Sequence, residues 1–375
     1  ISYEHKVSAS SSDIQWLVDL ALGNNAPEAL YDMSMYSIEY EIEDPRGFID
    51  TLSGLVSFPV DHTKSFPVAS YQHGTTIEDQ NVPSVTGMSM SNQEVSLISM
   101  IMSSSGYIIM LPDYIGLGSS GGYHPYIIAD TYPPAITNMI RAVKQMSGEI
   151  DNENSFMYNN QLYLLGYSEG GYVTMAAVKE IEENLSDEFN ITMSFPMAGA
   201  YDLSGVMVDL MLSEEVYPDP YYLPYFILTY IEKYELGEIE DFFKSEYANI
   251  LPELFNGNHS GGYINSHLPS IPIQMMTDEM VNDFTNNPDF PFRLALQEND
   301  LYDWTPQSTM YLFHGIIDES VPYQNSVVAY NKFLENGSES VFFETLEESY
   351  GGHAEAAPYC LLGAYNIIST VHMIN

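Results

Sequence analysis

A chain of 375 residues with 45% apolar content can bury a large core, as one elaborated α/β domain or two smaller ones. Asp and Glu number 52 against 10 Lys and Arg, a formal net charge of −42, yet charged residues are only 17% of the chain against roughly 25% in an ordinary domain. Such a surface repels nucleic acid and anionic membranes, which argues against phosphate-backbone binding as a function. The shortage of basic residues reads as solubility in salty water, where counterions screen the self-repulsion. Few Arg and 20 Met also suit a cold-active protein. No apolar run reaches the roughly 18 residues of a membrane span, since "YYLPYFILTYI" is short and broken by Pro224. The chain opens on Ile1 without a basic-then-apolar leader, which reads as a signal peptide removed and sets the expectation of a secreted or periplasmic protein. The single Cys360 excludes an internal disulfide and a cysteine metal cluster.

In chain order, "YSIEYEIED" alternates apolar and polar residues, and "TLSGLVSFPV" follows across Pro45, Arg46 and Gly47, which predicts an antiparallel hairpin. Short apolar strands follow at "FPVASYQ", "GYIIMLPDY", "QLYLLGY", "TMSFPMAG" and "STMYLFHG", with helical patterns such as "QEVSLISMIMSSS" and "PAITNMIRAVKQM" between most of them. This alternation predicts a mostly parallel, doubly wound α/β sheet with an antiparallel N-terminal hairpin. From 203 to 299 the rhythm stops. That interval holds Tyr- and Pro-rich pieces and amphipathic runs such as "IEDFFKSEYANILPELF", too long for a loop, and predicts an inserted, mostly helical lid. The expected division is a core over 1–202 and 300–375 and a cap over 203–299. The acidic run at 151–155 lacks the glycine of a calcium loop and reads as solvated surface.

Two stretches match G-x-S-x-G. Ser120 in "DYIGLGSSGGYHPY" lies in a glycine-rich loop with prolines after it, so no strand-to-helix turn is built there. Ser168 in "LYLLGYSEGGYVTMAAV" has a buried strand before it and a helix with Gly170, Gly171 and Ala176 after it, the context of a nucleophile elbow. A serine hydroxyl needs a base and a group that orients the base. "YLFHGIIDESVP" puts Asp318 on the loop after a late strand, with Glu319 as the neighbouring alternative. "ESVFFETLEESYGGHAEAAP" puts His353 between the last strand and a closing helix. His314 is still at a strand end and His372 is far along the closing helix. An oxyanion needs two donors, for which the backbone N–H groups of Glu169 and of Thr75 in "SYQHGTTIED" are the candidates. Gly74 lets that loop turn, the Thr75 hydroxyl offers a third donor, and His73 braces the loop. A carboxylate at Glu169 opposes the developing charge, unless it points away. In "VYPDPYYLPYFILTYIEKY" the aromatic density marks Tyr222, Tyr225 and Phe226 as candidate walls of the substrate cleft.

The whole chain resembles the α/β-hydrolase superfamily, with Ser168 in "GYSEG", Asp318 in "HGIIDESVP" and His353 in "GGHAEAA" on the family's triad positions. "SYQHGTT", "PDYIGLG" with "HPY", and the insert after the sixth predicted strand are similar to the secretory lipases, the lipase A-like branch. The departures are the Glu after the nucleophile, the absence of disulfide cysteines and the acidity. The resemblance implies a lidded serine esterase acting on small or lipid-like esters through an acyl-enzyme, with no metal and no organic cofactor. A serine peptidase of the same fold is the rival enzyme, and a non-catalytic binding protein on a hydrolase scaffold is the rival of another class.

Overall fold

The computed structural model describes residues 1–43, 49–89, 91–150, 155–371 and 374. Among them, nine strands form one sheet: β1 (Ser2–Ala9), β2 (Met33–Glu43), β3 (Ile49–Pro59), β4 (Ser65–Gln72), β5 (Ile108–Pro112), β6 (Met157–Tyr167), β7 (Met193–Met197), β8 (Thr309–Gly315) and β9 (Val341–Leu346). Their order is β1-β2-β3-β5-β4-β6-β7-β8-β9. The first four in that order pair antiparallel and the remainder pair parallel. The hairpin of β2 and β3 is in register from Met33 opposite Pro59 to Glu43 opposite Ile49. Its expected turn at Pro45, Arg46 and Gly47 lies outside the described residues, as do His372 and 151–154 of the acidic run.

Alternation within the strands fixes the layers. Leu162 and Leu164 of β6 join one buried cluster while Tyr163 and Leu165 join another, and Ile108 and Met110 of β5 separate from Ile109 and Leu111 in the same way. Successive side chains of a strand point to opposite faces, so the sheet is covered on both sides. On one face lie α1 (Ser11–Leu22), α2 (Gln93–Ser104) and the closing helix His353–Val371; on the other lie α3 (Tyr132–Glu149) and α4 (Glu169–Asn184). Residues such as Ile108 and Leu164 have no exposed surface, and each such burial contributes about 1.5–3 kcal/mol.

β1 was absent from the sequence expectation, because "SYEHKVSA" is mostly exposed and carries no apolar alternation; only its register against β2 makes it a strand. Between β7 and β8 the chain is helical, with α5 (Tyr222–Tyr234) the longest element and a lone bridge from Phe243 to Met276 the only strand-like pairing among the described residues there. "IEDFFKSEYANILPELF" is not one amphipathic helix but three single turns, Ile239–Phe242, Ser245–Ala248 and Leu251–Leu254. A capping box between Glu238 and Asp241 starts the first turn, and Pro252 can be accommodated only at the start of the third. α6 (Gln324–Glu335) follows β8, and α7 (His353–Val371) follows β9 and carries the buried Cys360. Among the described residues no helix is long and apolar enough to cross a membrane.

Candidate active site

Ser168 joins β6 to α4 at φ 61° and ψ −123°, a left-handed conformation that a non-glycine residue adopts only where the surroundings impose it. The small residues around it are the reason the turn closes. A Cβ on Gly170 would stand 1.9 Å from the Gln72 carbonyl oxygen, and one on Gly166 would stand 2.3 Å from the Gly170 carbonyl oxygen. The Ser168 N–H is held by the Met197 carbonyl at 3.0 Å, and its own carbonyl accepts from Gly171 and Tyr172 as the helix begins.

The three residues that the sequence singled out for acyl transfer meet. Ser168 Oγ lies 2.8 Å from His353 Nε2, and His353 Nδ1 lies 2.6 Å from Asp318 Oδ2. The Asp318 carboxylate can only accept from Nδ1–H, so Nε2 carries the lone pair and accepts the hydrogen bond of the serine hydroxyl. Asp318 is buried, and its Oδ1 accepts the backbone N–H groups of Ser320 (3.0 Å) and Val321 (2.7 Å). Burial alone would raise its pKa, but hydrogen bonds from His314 and His353 override this and hold the carboxyl well below the usual carboxylate range. Glu319 does not take that role in the geometry. Its Oε2 accepts the backbone N–H of His353 at 3.0 Å, at the first residue of α7.

Two supports of this arrangement were missed in the sequence. His314, at the end of β8, stands 3.3 Å from Asp318 Oδ2 through Nε2, which also donates to the Val321 carbonyl at 2.8 Å; its Nδ1 meets Ser326 Oγ at 2.7 Å. Tyr167, beside the serine, donates its hydroxyl to the His353 carbonyl at 2.6 Å. The i to i+4 spacing of His314 and Asp318 was a readable signal. Tyr167 was not, because its partner is 186 positions away in the chain.

Thr75 sits on the loop after β4. The loop is tied down by Glu94 of α2, whose Oε1 accepts the Gly74 N–H (3.1 Å) and the Tyr71 hydroxyl. Among the described residues no acceptor takes the N–H of Thr75 or of Glu169. Thr75 Oγ1 meets the Tyr126 hydroxyl at 3.1 Å. His73 stacks on Tyr114 at 4.2 Å and its Nδ1 bonds the Gly74 carbonyl, the contacts of a loop brace. Ser120 of the other G-x-S-x-G match donates to Asp50 Oδ2 at 2.6 Å and accepts the Gly116 N–H at 2.9 Å, and among the described residues no histidine hydrogen-bonds it.

The Glu169 side chain does not turn out to solvent. It is 3% exposed, and its Oε1 accepts from His124 Nε2 (3.0 Å) and from the Tyr132 hydroxyl (2.9 Å). Neither partner was identifiable in the sequence, since both come from the stretch after β5 and neither has a spacing that links it to Glu169.

Two cavities meet at Ser168. The first, with an empty volume of about 780 Å³ out to its open mouth, is lined by Ser168, Glu169, Tyr126, Met207, Tyr222 and Phe226, among others. The second, about 1170 Å³ on the same measure, runs between α2 and α7 and is lined by Thr75, Ser168 and His353 with Leu97, Ile101 and Leu361. Tyr222 and Phe226 thus line the serine cavity. Tyr225 does not line it: it stacks behind Tyr126 at 4.5 Å and against Phe255 at 5.7 Å. On α5, residues 226 and 225 flank 222 at about 40° and 60° on opposite sides, so 226 turns toward the cavity and 225 toward Tyr126 and Phe255.

No protein-family model matches the chain, and no curated protein matches it. Among solved structures, it is 25% identical to a candidate hydrolase from Legionella pneumophila, over 99% of this chain and 97% of that one, with a TM-score of 0.88. It is 23% identical to the rice cell wall degrading esterase LipA from Xanthomonas oryzae, over 98% and 96%, at 0.85. It is 15% identical to the closed state of Candida antarctica lipase A, over 94% and 77%, at 0.67. The chain has the α/β-hydrolase fold, and in structure it resembles this lipase A.

Proposed function

We propose that the protein is a serine carboxylic-ester hydrolase, with Ser168 as nucleophile, His353 as general base and acid, and Asp318 as the orienting carboxylate. The observation that carries this is the hydrogen-bonded line from Ser168 Oγ through His353 to Asp318, at 2.8 and 2.6 Å, on a strained turn that aims the serine at a cavity. His353 Nε2 takes the Ser168 proton while Oγ attacks the ester carbonyl, and the carbonyl electrons move to its oxygen. The N–H groups of Thr75 and Glu169 hold that oxyanion, and Asp318 stabilises the imidazolium. The intermediate collapses, the alkoxy oxygen leaves with the Nε2 proton, and the acyl group stays on Ser168. Water, deprotonated by His353, then attacks the acyl-enzyme, and the acid leaves as Oγ regains its proton.

The helical segment over 203–299 acts in this reading as the lid, with Tyr222 and Phe226 as walls of the substrate cleft. Burial and the nearby Glu169 carboxylate push the Tyr126 hydroxyl above its ordinary pKa, so it stays a neutral donor beside Thr75. The esterase and lipase names of the structural neighbours support the ester as substrate class. Titration with an organophosphorus ester tests the reading: one equivalent adds to Ser168 and none to Ser168→Ala. A Ser168→Ala variant that keeps more than about a tenth of the ester hydrolysis overturns it. Aminoacyl amides cleaved faster than acyl esters would move the substrate class to peptides.

A further inference from the structure

The serine stands at the junction of two cavities, and an ester carbonyl bound to it has two arms, the acyl carbon and the alkoxy oxygen. The two arms are not equivalent to the enzyme. The proton that releases the alcohol is held on His353 Nε2, so the alkoxy oxygen must come within roughly 2.6–3.2 Å of that atom. His353 lines the second cavity and does not line the first. The alcohol therefore departs on the α2 and α7 side, and the acyl arm is left to the cavity of Tyr222 and Phe226.

The walls of the second cavity say which alcohol fits. From α2 come Leu97, Ile98 and Ile101, and from α7 come Ala357, Leu361 and Leu362. Its polar side chains gather near the reacting end, where Glu94 is tied to Gly74 next to Thr75. At the α7 positions farther from His353, the Tyr365 hydroxyl is already engaged by Ser105 at 3.0 Å. No Lys or Arg lines the cavity. Its lining along α7, from Ala354 to Tyr365, spans three helical turns, roughly 16 Å at 1.5 Å per residue. A sugar or a charged headgroup would leave its polar groups unpaired against this wall, whereas an extended aliphatic chain would bury its length there.

We propose that the cavity between α2 and α7 is the leaving-group site and takes a long aliphatic alcohol, so that the preferred substrate is an ester with apolar chains on both sides of its carbonyl. The inference rests on the triad reading above. Two ester series separate the arms: butanoyl esters of ethanol through dodecanol, and ethyl esters of butanoic through dodecanoic acid, each read as kcat/KM. In the wild type, kcat/KM rises with alcohol length by up to about fourfold per methylene buried. Leu361→Trp flattens the alcohol series beyond short chains while the acyl series keeps its slope, and Leu97→Trp on the facing helix does the same. Met207→Trp, in the first cavity, gives the converse.

Melting curves show that each variant is folded before the slopes are compared, and two tryptophans from different helices guard against a local distortion at one of them. An unchanged alcohol series in both variants overturns the proposal, as does an acyl series that flattens instead or a uniform loss across both. Failure of the triad reading looks different, since Ser168→Ala would then hydrolyse both series.

Discussion

Asp318→Asn changes one oxygen to an amide nitrogen and little else. The Asn carbonyl oxygen can still accept from Ser320 and Val321 at the present 3.0 and 2.7 Å, so the loop keeps its shape. The amide NH₂ then faces His353 Nδ1 across the 2.6 Å now spanned by a charge-assisted hydrogen bond. Two donors cannot share that contact, so the imidazole moves its proton to Nε2 and presents N–H to Ser168 in place of a lone pair. The serine loses its base, and the imidazolium loses the buried negative charge that stabilises it. The expected loss is roughly 10⁴ in kcat, or about 5.4 kcal/mol of barrier. Glu319→Gln gives the comparison. Its side chain caps the His353 N–H, and Gln keeps an oxygen for that role, so the loss should stay within severalfold. Burst kinetics on an activated acetyl ester read both variants, with the burst reporting acylation directly. Asp318→Asn within tenfold of wild type, or Glu319→Gln losing as much as Asp318→Asn, refutes the assignment.

Three further outcomes follow from the same contacts. Because Ser168 is held at φ 61°, Ser168→Gly should be at least as stable as Ser168→Ala despite the roughly 1 kcal/mol of chain entropy that glycine gives up; a clearly lower melting temperature for the glycine variant speaks against strain at the elbow. Gly170→Ala drives a Cβ into the Gln72 carbonyl and should fail to fold or lose at least about 3 kcal/mol, whereas Gly148→Ala, with open space around it in α3, should be neutral or gain up to about 1 kcal/mol; equal melting temperatures refute the steric account. Asp300 accepts from Leu203, Ser204 and the Ser204 hydroxyl, and burial, opposed by those hydrogen bonds, pushes its pKa up to about 6. The folded chain then holds an extra proton between roughly pH 4 and 6, so this group's contribution to stability falls as pH rises through that window and stays low above it. Relative to Asp300→Asn, the wild type should gain in melting temperature between pH 7 and pH 5, and a constant or shrinking difference contradicts the shift.

What was legible in the sequence was what local context fixes. Ser168 could be separated from Ser120 because a strand precedes it and a helix with small residues follows, and the elbow needs nothing from elsewhere to be recognised. Asp318 and His353 followed from their places after late strands. What was not legible came from packing between distant segments. The direction of the Glu169 side chain stays open in the sequence, and its partners His124 and Tyr132, 45 and 37 residues back, are announced by no local pattern. Ring density groups Tyr225 with Tyr222 and Phe226, and its i to i+3 spacing from Tyr222 does not separate it; only its packing on Tyr126 and Phe255, from distant segments, does. β1 escaped because an edge strand with both faces largely wet carries no alternation.

The strand order has an engineering consequence. Ser168 follows β6, Asp318 follows β8 and His353 follows β9, and β7 lies between the first two. The chain that leaves β7 therefore emerges between the strands that carry Ser168 and Asp318, and part of it, at Met207, Tyr222 and Phe226, lines the cavity at Ser168. It is tied to the core at its base, by Tyr217 to the Ser320 carbonyl and by Leu203 and Ser204 to Asp300, and across its span, by the Tyr225 and Tyr230 hydroxyls to the Thr76 and Ile127 carbonyls, Lys233 to Asp130 and the Asp79 N–H to the Gly257 carbonyl. A graft in its place would have to rebuild the contacts across its span as well as those at its base, while the strands that carry Ser168, His353 and Asp318 stay where they are.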